Sequence, residues 1–227
     1  MIKIAEKVQL RHHISKRSQR IKYIVIHDTG NTAPYAGALT HKKYFLTTGR
    51  KASADFVVDD QRIIQLNDYR AYATWHCGDG KGRFGITNQN SIGIEMCVDS
   101  TGDIGITTNN TLLLTLHLMQ ELSIPIERVV RHYDASRKIC PAHMQADKWR
   151  KWWTFKDNLK RMSESKAYQA PEKKPEVKIA IQSGEAIKSF TVDAQNIAGH
   201  WVAGVRDILE AMGYTVSWDG KQIIAKS

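Results

Sequence analysis

Four side chains, far apart along this sequence, have the chemistry of a metal-assisted hydrolase: His27, Glu95, His132 and Cys140. Imidazole and thiolate are a familiar ligand set for zinc, and a catalytic zinc site takes three protein ligands and keeps a fourth position for water. His132 and Cys140 lie close together across a turn containing Ser136, whereas His27 has to arrive from a distant strand. Taken singly, each histidine reads equally as a surface or satisfied core residue, and each cysteine as a small buried hydrophobe. Glu95 interrupts the apolar run from Ser91 to Val98. A carboxylate there belongs either to a solvated face or to a cleft beside a metal, where it acts as general base to a metal-activated water.

The elements that must position these groups form an α/β pattern. Tyr23 to His27 is a β-branched and aromatic run with turn chemistry behind it at Asp28, Thr29 and Gly30. Residues 35–48 read as a helix stopping at Gly49. Ala54–Val58 and Arg62–Leu66 flank Asp59-Asp60-Gln61 as a hairpin. In Ser91–Val98 the residues Ile92, Ile94, Met96 and Val98 share one face, and Gly93, Glu95 and Cys97 the other. Asn109 or Asn110 is the expected cap of a helix carrying Leu112, Leu116 and Met119. Val129-Val130 is a short strand leading into Arg131-His132, and a Trp-rich helix near Gln145–Leu159 closes the unit. Trp149, Trp152 and Trp153 read as packing residues rather than a sugar platform, and Cys77 and Cys97 as structural, Cys97 either lining the cleft or filling space beneath it.

The polar stretch Ser163 to Glu176 has two prolines and no hydrophobic period, so it reads as a linker. It separates residues 1–162 from a small α+β module over 177–227. That module reads as a strand at Phe190–Val192, a helix with Val202, Val205, Leu209 and Met212 on one face, and a hairpin around Asp219-Gly220. It contains no polar constellation, so the chemistry is expected in the first unit.

Five ordered segments carry a resemblance. They are Val25 to Asn31, Ser53 to Asp60, Trp75 to Gly80, Ser91 to Glu95, and Arg131 to Asp134 followed by Lys138-Ile139-Cys140-Pro141. Together they resemble the type 2 N-acetylmuramoyl-L-alanine amidases, which share a fold with peptidoglycan recognition proteins: a central mixed β-sheet flanked by helices. The nearest pattern is that of phage and prophage endolysins. The resemblance implies one catalytic Zn2+ held by His27, His132 and Cys140. It implies Glu95 as the group that activates the zinc-bound water, and Lys138 as the one that polarises the scissile carbonyl. His76, Trp75 and Asn31 match substrate-binding positions. The implied reaction is hydrolysis of the amide between N-acetylmuramic acid and L-alanine in bacterial peptidoglycan. The module over 177–227 resembles, less specifically, the stalk-like domains named after the N-terminal domain of copper amine oxidases, which implies wall attachment or else dimerisation. Asp55 matches no expected role.

Bulk properties limit the alternatives. The net charge is +10, and the first 22 residues set Lys3, Lys7, Arg11, Lys16, Arg17, Arg20 and Lys22 against Glu6 alone. That balance suits a polyanionic partner such as an anionic wall polymer, or simply a solvated face. Paired Cys-x-x-Cys spacing and recognition-helix motifs are missing, which argues against a nucleic-acid binder. The complete ligand set argues against an inactive wall receptor. Three cysteines do not form a disulfide framework. No apolar run is long enough for a membrane span or a signal peptide. The expectation is therefore synthesis in the cytoplasm and action on the wall after holin-type release.

Overall fold

The computed structural model describes residues 3–164 and, in the rest of the chain, six strands between residues 176 and 226. The chain divides into two compact units, Met1–Ser165 and Lys166–Ser227. Strands of the first unit are β1 (Glu6–Lys7), β2 (Ile14–Lys16), β3 (Tyr23–Asp28), β4 (Phe56–Val58), β5 (Ile63–Gln65), β6 (Tyr72–Thr74), β7 (Ser91–Met96) and β8 (Val129–Arg131). Its α-helices are α1 (Ala38–Thr47), α2 (Ile104–Leu122), α3 (His132–Ser136) and α4 (Ala146–Glu164).

A six-stranded mixed sheet has the order β1-β5-β4-β7-β3-β8. Strands β4, β7, β3 and β8 are parallel neighbours, while β5 runs antiparallel to β4. Helix α2 lies against β3, β4 and β7, helix α1 against β4 and β5, and α4 packs on α2. This is the mixed sheet with flanking helices that the family resemblance implies. Parallel strands covered on both faces need unbroken apolar runs. Strand β3 supplies one in Ile24, Val25 and Ile26, all fully buried. In β7 the two predicted faces exist, but both are covered, so Gly93 is buried along with Ile92, Ile94 and Met96.

Several boundaries differ from expectation. The predicted cap at Asn109 or Asn110 is displaced to Asp103, whose carboxylate accepts from the Gly105 and Ile106 N–H groups at 2.7 and 3.0 Å. The first turn, Ile104-Gly105-Ile106-Thr107, is weak helix sequence, and satisfying two of its orphan donors lets it form. Asn110 lies inside the helix and donates to the Asp59 carbonyl at 2.9 Å. Asp59 also caps α1, accepting from Ala38 N–H at 2.8 Å.

The basic N-terminal stretch is structured: β1 pairs with β5, and β2 with β6. Within it, Arg17 donates to the carbonyls of Tyr69, Tyr72, Asn88 and Gln89 at 2.6 to 3.3 Å. Its charge is engaged inside the fold, which corrects the reading of this residue as part of a free basic face. Lys42 pairs with Glu6 at 2.8 Å.

Helix α4 includes Ser163 and Glu164, assigned above to the linker, and the next strand already begins at Glu176. In the second unit the strands are β9 (Glu176–Ser183), β10 (Ala186–Asp193), β11 (Asn196–Ile197), β12 (His200–Trp201), β13 (Thr215–Trp218) and β14 (Gln222–Lys226). They form a four-stranded sheet in the order β10-β9-β14-β13 and a separate β11-β12 pair. Strand β13 runs antiparallel to β14, as the Asp-Gly signal predicts. The predicted strand at Phe190–Val192 lies in the C-terminal half of β10, and β9 is not anticipated. The predicted helix carrying Val202 to Met212 lies outside the described residues. Among those residues, no helix is long and apolar enough to cross a membrane.

Candidate metal centre and cleft

Parallel register brings the first two groups together. On β3 and β7, His27 is the Cα partner of Glu95. Strand β8 pairs with the other edge of β3, and the chain leaves it directly into α3, whose first residue is His132. Three parallel strands thus present their carboxyl ends, and the groups on them, at one edge of the sheet, where ligands of open α/β sheets bind. Cys140 comes from the loop after α3. Arg137, at φ 72°, ends that helix, and the Cys140 carbonyl accepts from Tyr133 N–H at 3.1 Å, which folds the loop back.

The result is one buried cluster. Donor atoms of His27, His132 and Cys140 all lie within 4.8 Å of one another. Cys140 Sγ is 3.7 Å from His27 Nδ1, and Glu95 Oε1 is 3.9 Å from the same nitrogen. The outer ring nitrogens are held from behind: His27 Nε2 is 3.0 Å from His76 Nδ1, and His132 Nε2 is 2.7 Å from Asp79 Oδ1. Among the described residues, His132 Nδ1 and Glu95 Oε2 are buried without a hydrogen-bond partner.

Electrostatics favour neutral forms throughout. Burial, then the fields of His132, His76 and Lys138, holds His27 well below the usual imidazole range. Burial lowers His132 against the opposing pull of Asp79. Burial and then Glu95 push the Cys140 thiol up. Burial, helped by the Asp28 carboxylate, pushes Glu95 up to about 8. A divalent cation among these atoms reverses the balance for thiol and carboxylate. Two inward imidazole nitrogens, one of them the unpartnered His132 Nδ1, and one thiol fit the donor set of zinc.

A cleft of about 340 Å³ opens beside the cluster, lined among others by Lys51, Trp75, His76, Asp79, His132 and Lys138. Trp75 is anchored by its Nε1–H, which donates to Ser15 Oγ at 2.8 Å. Asn31 is not brought there: it is exposed, and its Oδ1 accepts from Ala33 N–H in a local turn.

The remaining groups fill structural places. Asp55 is fully buried and accepts from Thr74 Oγ1, Gly93 N–H and Asn67 Nδ2 at 2.7 to 3.0 Å. Cys97 packs with Leu10, Ala38 and Phe45, and Cys77 with Val25, Ile86 and Ala135. Of the three tryptophans only Trp152 is buried, stacking on Phe155; Trp149 is half-buried and Trp153 exposed, both with rings near the Arg131 guanidinium. Sequence reasoning passed over Asp79 and Ser91. Asp79 lies in the Trp75 to Gly80 segment, three residues after His76, and Gly80 beside it is the available signal. A Cβ on Gly80 would sit 2.0 Å from the Ala135 carbonyl oxygen, so only glycine lets this segment press against α3.

A family profile described as N-acetylmuramoyl-L-alanine amidase matches residues 17–143, more than half of the chain. The chain belongs to this amidase family. His27, Glu95, His132, Lys138 and Cys140 all lie inside the matched segment. Two curated relatives are the N-acetylmuramoyl-L-alanine amidases CwlH and XlyA of Bacillus subtilis (strain 168). CwlH is 40% identical over 127 residues, covering 56% of this chain and 49% of its own. XlyA is 39% identical over 130 residues, covering 56% of this chain and 41% of its own. The matched part of the chain thus spans less than half the length of either relative. Among solved structures, the catalytic domain of XlyA aligns at TM-score 0.62 and 32% identity, covering 70% of this chain and 99% of that one. PlyL aligns at TM-score 0.60 and 30% identity, covering 70% and 97%.

Proposed function

We propose that the chain is a zinc-dependent N-acetylmuramoyl-L-alanine amidase that acts on bacterial peptidoglycan as an endolysin does. The reading rests on family membership together with one observation: the buried His27, His132 and Cys140 donors with Glu95 at their side. Zinc held by these three groups supplies Lewis-acid chemistry, acidifying water and polarising a carbonyl.

The chain's own residues supply the rest. Glu95, whose Oε2 is buried and unpartnered, takes the proton from the attacking water. That water's oxygen bonds to the lactyl carbonyl carbon of N-acetylmuramic acid, and the carbonyl electron pair moves onto oxygen. Lys138, at the cleft wall, places positive charge near that oxygen. Losing one such stabiliser costs about 3–4 kcal/mol of barrier. As the C–N bond breaks, Glu95 returns the proton to the L-alanine nitrogen, leaving a free amine and a muramyl carboxylic acid, which then loses its own proton to solvent. Trp75 and His76 wall the cleft and keep the substrate chain beside Glu95. The module over 177–227 serves wall attachment, with anionic wall polymers as further contacts, and release to the wall follows membrane opening by a holin.

Digestion of purified peptidoglycan tests this. Newly freed N-terminal L-alanine is expected without new reducing sugar ends, and a chelator is expected to abolish it. Wall binding without amine release, across several wall types and with zinc bound, would overturn the reading.

A further inference from the structure

Behind the candidate metal centre a line of hydrogen bonds leads away from the cleft. His27 Nε2 lies 3.0 Å from His76 Nδ1, and His76 Nε2 lies 3.1 Å from Ser91 Oγ. Ser91 Oγ in turn lies 2.5 Å from the Thr87 carbonyl oxygen. All of His27, His76 and Ser91 are buried. The line has a direction, and its far end sets it.

A carbonyl oxygen only accepts, so two oxygens at 2.5 Å require the Ser91 proton between them. The hydroxyl has no second proton, and its other close neighbour, Cys77 Sγ, is at 3.7 Å. Ser91 Oγ must therefore accept from His76, which places a proton on His76 Nε2. A neutral imidazole carries one N–H, so His76 Nδ1 is the acceptor and His27 Nε2 the donor. His27 is then left with a bare lone pair on Nδ1, the nitrogen that faces Cys140 Sγ and Glu95.

The line is braced at its far end and at its middle. The Thr87 carbonyl also accepts from Asn90 N–H at 3.2 Å, and Thr87 N–H donates to Asn90 Oδ1, so a closed turn fixes it. The His76 ring lies against Gly93, where an added Cβ would stand 2.6 Å from its Cγ.

We infer that Ser91, seated on the Thr87 carbonyl, is a positioning residue that sets the His27 tautomer through His76, so that His27 offers Nδ1 to a cation. This rests on the reading of His27 as a metal ligand. It makes His76 a link in the ligand's support as well as part of the cleft wall. A histidine whose rear nitrogen is held in one tautomer binds metal more tightly, and such rear partners are worth 10- to 100-fold in affinity.

The test uses the full chain, stripped of metal and carrying isotope-labelled histidine. Long-range proton–nitrogen spectra at neutral pH report the tautomer of each ring. Both His27 and His76 are expected as Nε2–H forms; His27 as an Nδ1–H form overturns the proposal. In Ser91→Ala, mixed His27 tautomers are expected, with a zinc Kd weakened about tenfold in chelator competition. Ser91→Thr, which returns a hydroxyl, is expected to recover both. Unchanged tautomers and unchanged Kd in Ser91→Ala overturn the proposal, and if that variant fails to fold, the wild-type spectrum decides. Expected tautomers with zinc bound but no amine release from peptidoglycan would support the relay and sink the amidase reading. Amine release from a protein whose His27 is Nδ1–H would do the reverse.

Discussion

His27 and Glu95 are Cα partners on adjacent parallel strands, and their side chains converge with Nδ1 and Oε1 3.9 Å apart. The proposed ligand and the proposed base are thus fixed to each other by backbone register rather than by a loop. Glu95→Gln keeps the shape and removes the base. Amine release from peptidoglycan is expected to fall about 10²- to 10⁴-fold, with bound zinc unchanged. Near wild-type release would remove Glu95 from the chemistry.

Asp79 presents a carboxylate oxygen 2.7 Å from His132 Nε2. Because a carboxylate only accepts, His132 must donate there and keep Nδ1 bare. Asp79→Ala is expected to weaken zinc binding about 10- to 100-fold. Competition against a chelator of known affinity measures it, and an unaltered Kd would show that His132 needs no such support.

Gly80 tests packing rather than chemistry. With a Cβ placed 2.0 Å from the Ala135 carbonyl, Gly80→Ala forces the segment off α3. A loss of about 1–3 kcal/mol in urea unfolding is expected. A stability equal to wild type would mean that the segment shifts freely.

Lys156 donates its amine to the Ile126 and Val129 carbonyls, and burial pushes it down to about 8. In the unfolded chain the amine titrates near about 10.4. Between those values the unfolded state binds more protons, so stability rises with pH across that window and the gain is lost as pH falls back through about 8. Discounted for the partial exposure of the side chain, the contribution is about 1 kcal/mol. Unfolding of wild type and Lys156→Met at pH 7.5 and 10 should differ by a steeper rise in the wild type. Parallel slopes would count against the shifted amine.

What the sequence made legible follows from distance along the chain. His27, Glu95 and His132 could be placed because each ends or interrupts an apolar run, and such runs become parallel strands whose carboxyl ends gather. Cys140 needed only a turn after His132. The supporting groups were hidden for the opposite reason. Ser91 opens a strand and looks like punctuation; its partners, His76 and the Thr87 carbonyl, are supplied by folding. Arg17 looked like one more surface charge because its four carbonyl acceptors lie between residues 69 and 89. Strands β1 and β2 are too short and polar to show a period of two. The cap at Asp103 was obscured because the turn it starts contains Gly105, so the clear helical period begins later, at Leu112.

His27 and Cys140 are 113 positions apart. A ribosome adding about 5–20 residues per second needs roughly 6–23 s to travel between them. For that interval the nascent chain has its first donor and lacks its last, so it cannot close the cage. Under the proposed function the donor set is therefore complete only once residue 140 has been made, and a chain ending before that point lacks one of its three donors.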